Sequence, residues 1–257
     1  MITKTLKRIY MGIVVLFLYA PILVLITLSF NDSRSRVVWG GFTFRWYGSL
    51  FDNQAYMSAF ATTMILAISS AAIATIIGLA AAIGISAMRR RNVQIMLFFT
   101  NIPLVNADIV TGIALMLWFV RFLPLGFTSV MFAHVTFNMP YVILCILPKL
   151  ESLDRFQFEA ARDLGAGVLT AFMKVMLPDL LPGIFSGFFL AATMSLDDFV
   201  ITYFTKGPGV NTLSTLIYGE IRKGIKPEMY ALSSILFLIV LIMLIITNVK
   251  TFKEKDK

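Results

Sequence analysis

Long stretches without charge constrain this chain more than any other feature. Crossing the hydrocarbon core of a bilayer takes about 20 apolar residues of helix. Ile9 to Phe30, Ala55 to Met88 and Met229 to Val249 contain no charged residue at all. Asn92 to Val120 is interrupted by Asp108 alone, Phe122 to Pro148 by His134 alone, and Leu180 to Thr205 by the pair Asp197 and Asp198. The pattern predicts an all-α polytopic membrane protein with six transmembrane helices, at about 9–30, 58–88, 93–120, 127–148, 182–204 and 229–249. One membrane domain accounts for all of 1–257. The first run is longer than the apolar core of a signal peptide, and no small-residue cleavage site follows it, so it reads as a retained helix.

Composition closes the soluble alternatives. Hydrophobic residues make up 58% of the chain and charged residues 14%, against about 25% charged in a soluble domain. That excludes an ordinary soluble enzyme, a disordered tail and a coiled coil. The net charge of +8 reads as basic loops at a membrane face and not as a nucleic-acid surface. Cys145 is alone, so no intrachain disulfide forms. His134 is also alone, which leaves too few soft ligands for a transition-metal site.

Orientation follows from the basic residues. With both termini in the cytoplasm, the inner segments hold Lys4, Lys7, Arg8, the triplet Arg89-Arg90-Arg91, Lys149, Arg155, Arg162, Lys174, Lys250, Lys253, Lys255 and Lys257, which is most of the 22. Between the first two runs, Asn31 to Asn53 is an outer segment rich in aromatic residues: Trp39, Phe42, Phe44, Trp46 and Tyr47. These suit an interfacial belt. Trp46 could alternatively stack on an ammonium group, a contact of about 0.5–2 kcal/mol.

The inner segment of about 149–179 carries the most specific pattern. Phe156 to Leu164 lacks Pro and Gly, and Phe156, Ala160, Ala161 and Leu164 repeat at helical spacing. Gly165 permits a positive φ and ends that helix. A second helical stretch, Val168 to Leu177, is expected to end at Pro178. Two short helices joined at a glycine would form a compact knob. Glu159-Ala160-Ala161, three residues, Gly165, nine residues, then Val175-Met176-Leu177-Pro178 resembles the coupling motif of ABC importer permeases, with Val175 where isoleucine is commoner. The resemblance implies that 149–179 is a cytoplasmic coupling loop and that Glu159, Ala160, Ala161 and Gly165 dock on an ATPase. Ser195-Leu196-Asp197-Asp198-Phe199-Val200, Lys206-Gly207-Pro208-Gly209, Leu216-Ile217-Tyr218 and Phe42-Thr43-Phe44-Arg45-Trp46-Tyr47 are similar to the C-type spermidine/putrescine permeases. The implied partners are a second permease subunit, two ATP-binding subunits, an extracytoplasmic polyamine-binding protein and membrane lipid, with no nucleic acid.

The chain cannot supply the energy itself. A P-loop ends in Gly-Lys so that backbone amides and the lysine hold phosphate, and none of the 16 glycines is followed by lysine. No cofactor is expected in this chain, and ATP and Mg would be used by the partner ATPase. Pro103, Pro140 and Pro182 are expected bend points.

Asp108, Asp197 and Asp198 lie inside apolar runs, where an ionised side chain costs roughly 2.5–3.5 kcal/mol on insertion scales. No basic residue shares their runs, so a cationic solute would supply the missing partner. On one continuous helix Asp198 shares a face with Ser195 and Thr202, which favours Asp198 as the lining residue and leaves Asp197 to cap or brace. Asn101 and Asp108 fall on nearly one stripe. The expected solute contacts are therefore Asp108, Asp198, Asp197, Ser195 and Trp46. Ala74, Gly78, Ala82 and Gly84 allow close helix packing. A permease for ferric iron or an oxyanion is a rival, with anions disfavoured by the acids. A free-standing channel or secondary carrier predicts repeats and broken helices, neither visible in the sequence. A membrane enzyme lacks a convincing nucleophile and base.

Overall fold

The computed structural model describes residues 2–35 and 37–255, with the side chains of residues 2–5, Arg155 and 246–255 left out. Of the basic residues used to orient the chain, Lys257 and the side chains of Lys4, Arg155, Lys250, Lys253 and Lys255 lie outside the described residues, as does Arg36 of the outer segment. Among those described there is no β-strand, only an isolated antiparallel bridge between Asn31 and Phe42. The helices are α1 (Ile2–Ser29), α2 (Arg45–Asp52), α3 (Gln54–Ser86), α4 (Arg90–Val105), α5 (Asp108–Phe119), α6 (Phe127–Glu151), α7 (Arg155–Asp163), α8 (Val168–Ala171), α9 (Leu177–Asp197), α10 (Val200–Thr205), α11 (Leu213–Lys223) and α12 (Pro227–Lys255).

Five stretches are long and apolar enough to cross a membrane: Leu6–Ser29, Gln54–Ser86, Phe127–Glu151, Val168–Asp197 and Pro227–Ile245. A sixth is possible only if α4 and α5 form one span, and these two helices meet at 103°. The third run is therefore not one straight helix. Asn106 and Ala107 are extended, with ψ near 145° and 134°. α9 likewise stops at Asp197, and Asp198 is extended with ψ 122° before α10 begins. Broken helices are thus present, contrary to the expectation from sequence, and they do not separate a carrier from a permease. The prolines do not mark these breaks. α6 runs on through Pro140 and α9 through Pro182, and Pro103 lies inside α4, short of the break.

By backbone contacts the chain divides into two units, one made of the chain through Ser58 with Leu216–Ile242, the other of Ala59–Thr215 with the chain from Met243. In the first, Asn31 organises the outer segment. Its Oδ1 accepts from Gly40 N at 2.8 Å and Ser33 N at 3.2 Å, and its Nδ2 donates to Val38 O at 2.9 Å. Phe30 stacks on Phe42 at 5.1 Å and meets Phe44 edge-on at 5.4 Å. In the same unit Glu220 pairs with Lys223 at 3.0 Å and Lys226 at 3.1 Å. Hydrogen bonds from Lys223 and then Lys226 hold its carboxyl below the usual glutamate range.

In the second unit α6 lies at the centre. Val142, Ile143 and Ile146 of α6 pack against Ala71, Ala74 and Ala82 of α3 and against Ala191 and Ala192 of α9. Small residues make this possible, because a Cβ at Gly78 would come within 2.7 Å of Val142 Cγ1. Gly78 and its alanine neighbours serve the close packing expected of them. Gly84 meets nothing within 4 Å.

Candidate functional site

The acids inside the apolar runs sit at the two helix breaks, and their surroundings differ. Asp108 opens α5. Its residue is exposed, and its carboxylate accepts no hydrogen bond from another described residue. A negative charge in a helix's first turn is favoured by the helix dipole, which suits Asp108 to this position without occupying it. Asn101 belongs to α4, on the other side of the 103° corner, so the expected stripe of Asn101 and Asp108 is not continuous.

The second break is closed by a buried polar chain. Asp198 Oδ1 accepts from Ile201 N at 3.1 Å, and Oδ2 accepts from Thr202 N at 2.7 Å and from the Thr202 hydroxyl at 2.8 Å. The carboxylate thereby caps α10, whose first amides have no partner within the helix. His134 of α6 supplies the next link. Its Nε2 lies 2.8 Å from Thr202 Oγ1 and 3.4 Å from Asp198 Oδ2. Since the Thr202 proton points to Asp198, Nε2 carries a hydrogen and donates it. On the other side of the ring, Nδ1 meets Ser195 Oγ at 2.6 Å, and Ser195 meets Ser70 Oγ of α3 at 3.2 Å. His134 is fully buried and the Asp198 side chain is 8% exposed.

These contacts correct three expectations. Asp198 does not lack a partner; one comes from another helix. Ser195, Asp198 and Thr202 do converge, but around an imidazole and across a break, not along one helical face. And Asp198 is the capping acid, while Asp197 is exposed at the end of α9 and accepts no hydrogen bond from another described residue. His134 is the residue that sequence reasoning missed. Its only signal was its place as the sole basic or acidic side chain in its run.

Trp46 is likewise occupied. Its residue is 4% exposed, and its indole N–H donates to Asn31 O at 2.7 Å. The Arg45 guanidinium sits over the ring at 4.4 Å and pairs with Asp32 at 3.3 Å. A cation–π contact exists here, but the cation is the chain's own. Beyond α10, Lys206 donates to Asn211 Oδ1 at 3.0 Å, and burial pulls its ammonium below the ordinary lysine range.

The knob forms as expected in its first half. Asp154 caps α7 by accepting from Phe156 N at 3.0 Å. Gly165 takes φ +88°, Gly165 N bonds to Arg162 O at 2.9 Å and Ala166 N to Ala161 O at 3.1 Å. This is the paired closure of a helix that ends in a left-handed residue. Phe156 and Leu164 are 77% and 88% exposed, and Glu159 and Ala160 are also open. The inner edge of α7, at Phe158 and Glu159, lines a cavity of about 1020 Å³ with Arg90, Leu150, Leu169 and Phe172. The second half differs. Pro178 does not end the helix. Phe172–Met176 widen into a π-turn that leads straight into α9. A wider turn relieves the clash between a proline ring and the carbonyl four residues earlier.

The family model described as binding-protein-dependent transport system inner membrane component matches residues 74–252. The putrescine transport system permease protein PotI of Escherichia coli (strain K12) is 41% identical over 228 residues, covering 86% of this chain and 81% of that protein. The spermidine/putrescine transport system permease protein PotC of the same strain is 35% identical over 246 residues, covering 95% and 93%. In fold the chain is similar to a chain of the crystal structure of a bacterial alginate ABC transporter in complex with alginate pentasaccharide-bound periplasmic protein. The TM-score is 0.70 at 13% identity, covering 95% of this chain and 92% of that one.

Proposed function

This chain belongs to the family of binding-protein-dependent transport system inner membrane components, and from that premise we propose that it forms half of the translocation pore of an ATP-driven importer of polyamines. It is a membrane subunit of a transport system and not an enzyme. A soluble binding protein would deliver putrescine or spermidine, a second permease subunit would complete the pore, and two ATPase subunits would drive it with ATP and Mg. The observation that carries this reading is the likeness, over most of the chain, to two permeases named for putrescine and spermidine.

The geometry gives each part work to do. Both termini face the cytoplasm, which puts the Arg89-Arg90-Arg91 triplet and the knob on the side of ATP. Phe156, Ala160 and Leu164 present uncovered apolar surface on α7, and Glu159 and Gly165 shape the knob that docks on the ATPase. Since α7 to α9 are joined through the π-turn with no loop after Val168, a push on the knob passes into a membrane helix. Two access states of the pore are biased by the differing contacts of the docked ATPase.

Asp108 and Asp197 are the exposed carboxylates available to ammonium groups. An ion pair at about 4 Å and an effective dielectric of about 20 contributes on the order of 4 kcal/mol before desolvation. If about 1.4 kcal/mol survives, losing it costs tenfold. Asp108→Asn should therefore lower putrescine uptake about tenfold in proteoliposomes holding the complete transporter, while ATP hydrolysis stimulated by loaded binding protein stays within twofold. Solute moved per ATP then falls. Parallel assays with spermidine, ferric iron and sulfate test the solute class. Uptake of iron or sulfate without polyamine uptake would sink the reading.

A further inference from the structure

We propose that His134 is a positioning residue for transport, clamping both sides of the α9–α10 interruption and committing Asp198 to the cap of α10 instead of to the solute. The inference deepens the importer reading and rests on it for the word transport. The clamp itself rests on geometry.

The break needs holding. Between Asp197 and Val200 the backbone leaves the helix, which frees carbonyls at the end of α9 and amides at the start of α10. In an apolar setting such groups are costly unless bonded. Asp198 satisfies two amides of α10. A carboxylate at this depth still needs compensation for its charge. That comes from the Thr202 hydroxyl and from the imidazole at 3.4 Å.

The imidazole does more than compensate. Its two nitrogens face opposite sides of the break: Nδ1 meets Ser195 in the last turn of α9, and Nε2 meets Thr202 in α10. A ring with donors or acceptors on opposite edges fits that span. His134 is fixed in turn by its place on α6, among buried residues on every neighbouring turn. Behind the clamp, α10 is seated on α5, where a Cβ at Gly112 would come within 3.1 Å of Phe204 Cδ2. Ser129 of α6 reaches the far end of α10 by donating to Thr205 O at 2.8 Å. The short helix is therefore held at both ends by α6. It moves with α6 or not at all, and Asp198 cannot turn to an ammonium group without releasing the cap.

The test uses the complete transporter in proteoliposomes with its binding protein, and three variants. His134→Leu removes both ring nitrogens at similar volume. Thr202→Val removes only the bridging hydroxyl, and Thr202→Ser keeps it. His134→Leu and Thr202→Val should each lower the maximal rate of stimulated ATP hydrolysis and of uptake together, at least tenfold. The concentration of loaded binding protein at half-maximal rate should stay within twofold, and solute moved per ATP should be unchanged. Thr202→Ser should recover most of the rate. Hydrogen exchange of the segment 198–206 should accelerate at least tenfold in the two damaged variants and not in Thr202→Ser. If His134→Leu does not assemble, Thr202→Val decides by the same measurements.

Wild-type exchange in both damaged variants would overturn the clamp, as would faster exchange at unchanged turnover. A fall in solute per ATP, with the ATP rate preserved, would make Asp198 a solute contact and overturn the proposal too. Exchange and ATP turnover do not depend on which solute is carried. Failure of the polyamine reading would show separately, as absent polyamine uptake by the unaltered transporter.

Discussion

Asp108 and Asp198 both stand where a membrane helix stops, yet one is left open and the other is enclosed. At the α4–α5 corner the chain turns by 103° and presents an exposed carboxylate that accepts no hydrogen bond from another described residue. At the α9–α10 interruption a carboxylate of the same kind is bonded by two amides and a hydroxyl, with an imidazole beside it. The difference lies in register, since Asp198 precedes α10 and accepts from its amides while Asp108 is the first residue of α5, and in what the facing helix offers. α6 brings His134 to the second break. An acid in an apolar run is thus a question that only the third dimension answers. When compensated from within, it is architecture. When uncompensated, it is available to a cation.

The comparison breaks most visibly under Asp198→Leu. The substitution leaves the amides of Ile201 and Thr202 and the Thr202 hydroxyl without their acceptor. Each unsatisfied buried group costs roughly 1–3 kcal/mol, against the total stability of about 5–15 kcal/mol of a folded protein. The yield of assembled transporter, read by size-exclusion chromatography in detergent, should fall severely. Asp108→Leu should assemble at the wild-type level. Equal yields would mean that the two breaks are not used differently.

Next in size is Gly165→Pro, which touches neither break. Proline holds φ near −65°, and Gly165 needs +88°. The knob should lose its turn while the membrane helices stay intact. ATP hydrolysis should then continue at its basal rate without stimulation by loaded binding protein, and uptake should fall to background. Coupled transport in this variant would separate the knob from the ATPase and leave the two breaks as the only moving parts of the account.

These contrasts also mark how far the sequence could be read. Apolar runs locate membrane helices because lipid admits few alternatives, and among the described residues five helices long and apolar enough to cross a membrane overlap the runs, the one over the fifth run shifted to Val168–Asp197. The glycine turn of the knob was legible because only a left-handed residue closes a helix in that way. The breaks were not legible. Asn106 and Ala107 carry no strong breaking signal, and the prolines that do carry one sit in helices that run on. Nor were the partners of Asp198 and Trp46. His134 lies on a different helix, and Asn31 meets Trp46 only after the outer segment folds back. Periodicity orders residues along one helix. It has no access to the neighbour that supplies the hydrogen bond.

The smallest expected effect belongs to Asp197, and it sharpens the comparison most finely. Asp197 adjoins the clamp but takes no part in it, and it faces outward at the end of α9. Its carboxylate is exposed, so solvent weakens any ion pair it makes to about 0–1 kcal/mol. That corresponds to at most about fivefold in rate. Asp197→Asn removes the charge and keeps the shape, so exchange of the segment 198–206 should remain at the wild-type rate. If Asp197 meets a second ammonium group while Asp108 holds the first, the loss should be greater for triamine spermidine than for diamine putrescine. The measurement is uptake of the two labelled solutes side by side, expressed per ATP hydrolysed. Equal small losses would assign Asp197 to the general negative potential of the path. Faster exchange would assign it to the clamp, and the boundary between the open and the enclosed acid would then run between Asp108 and Asp197, not between Asp197 and Asp198.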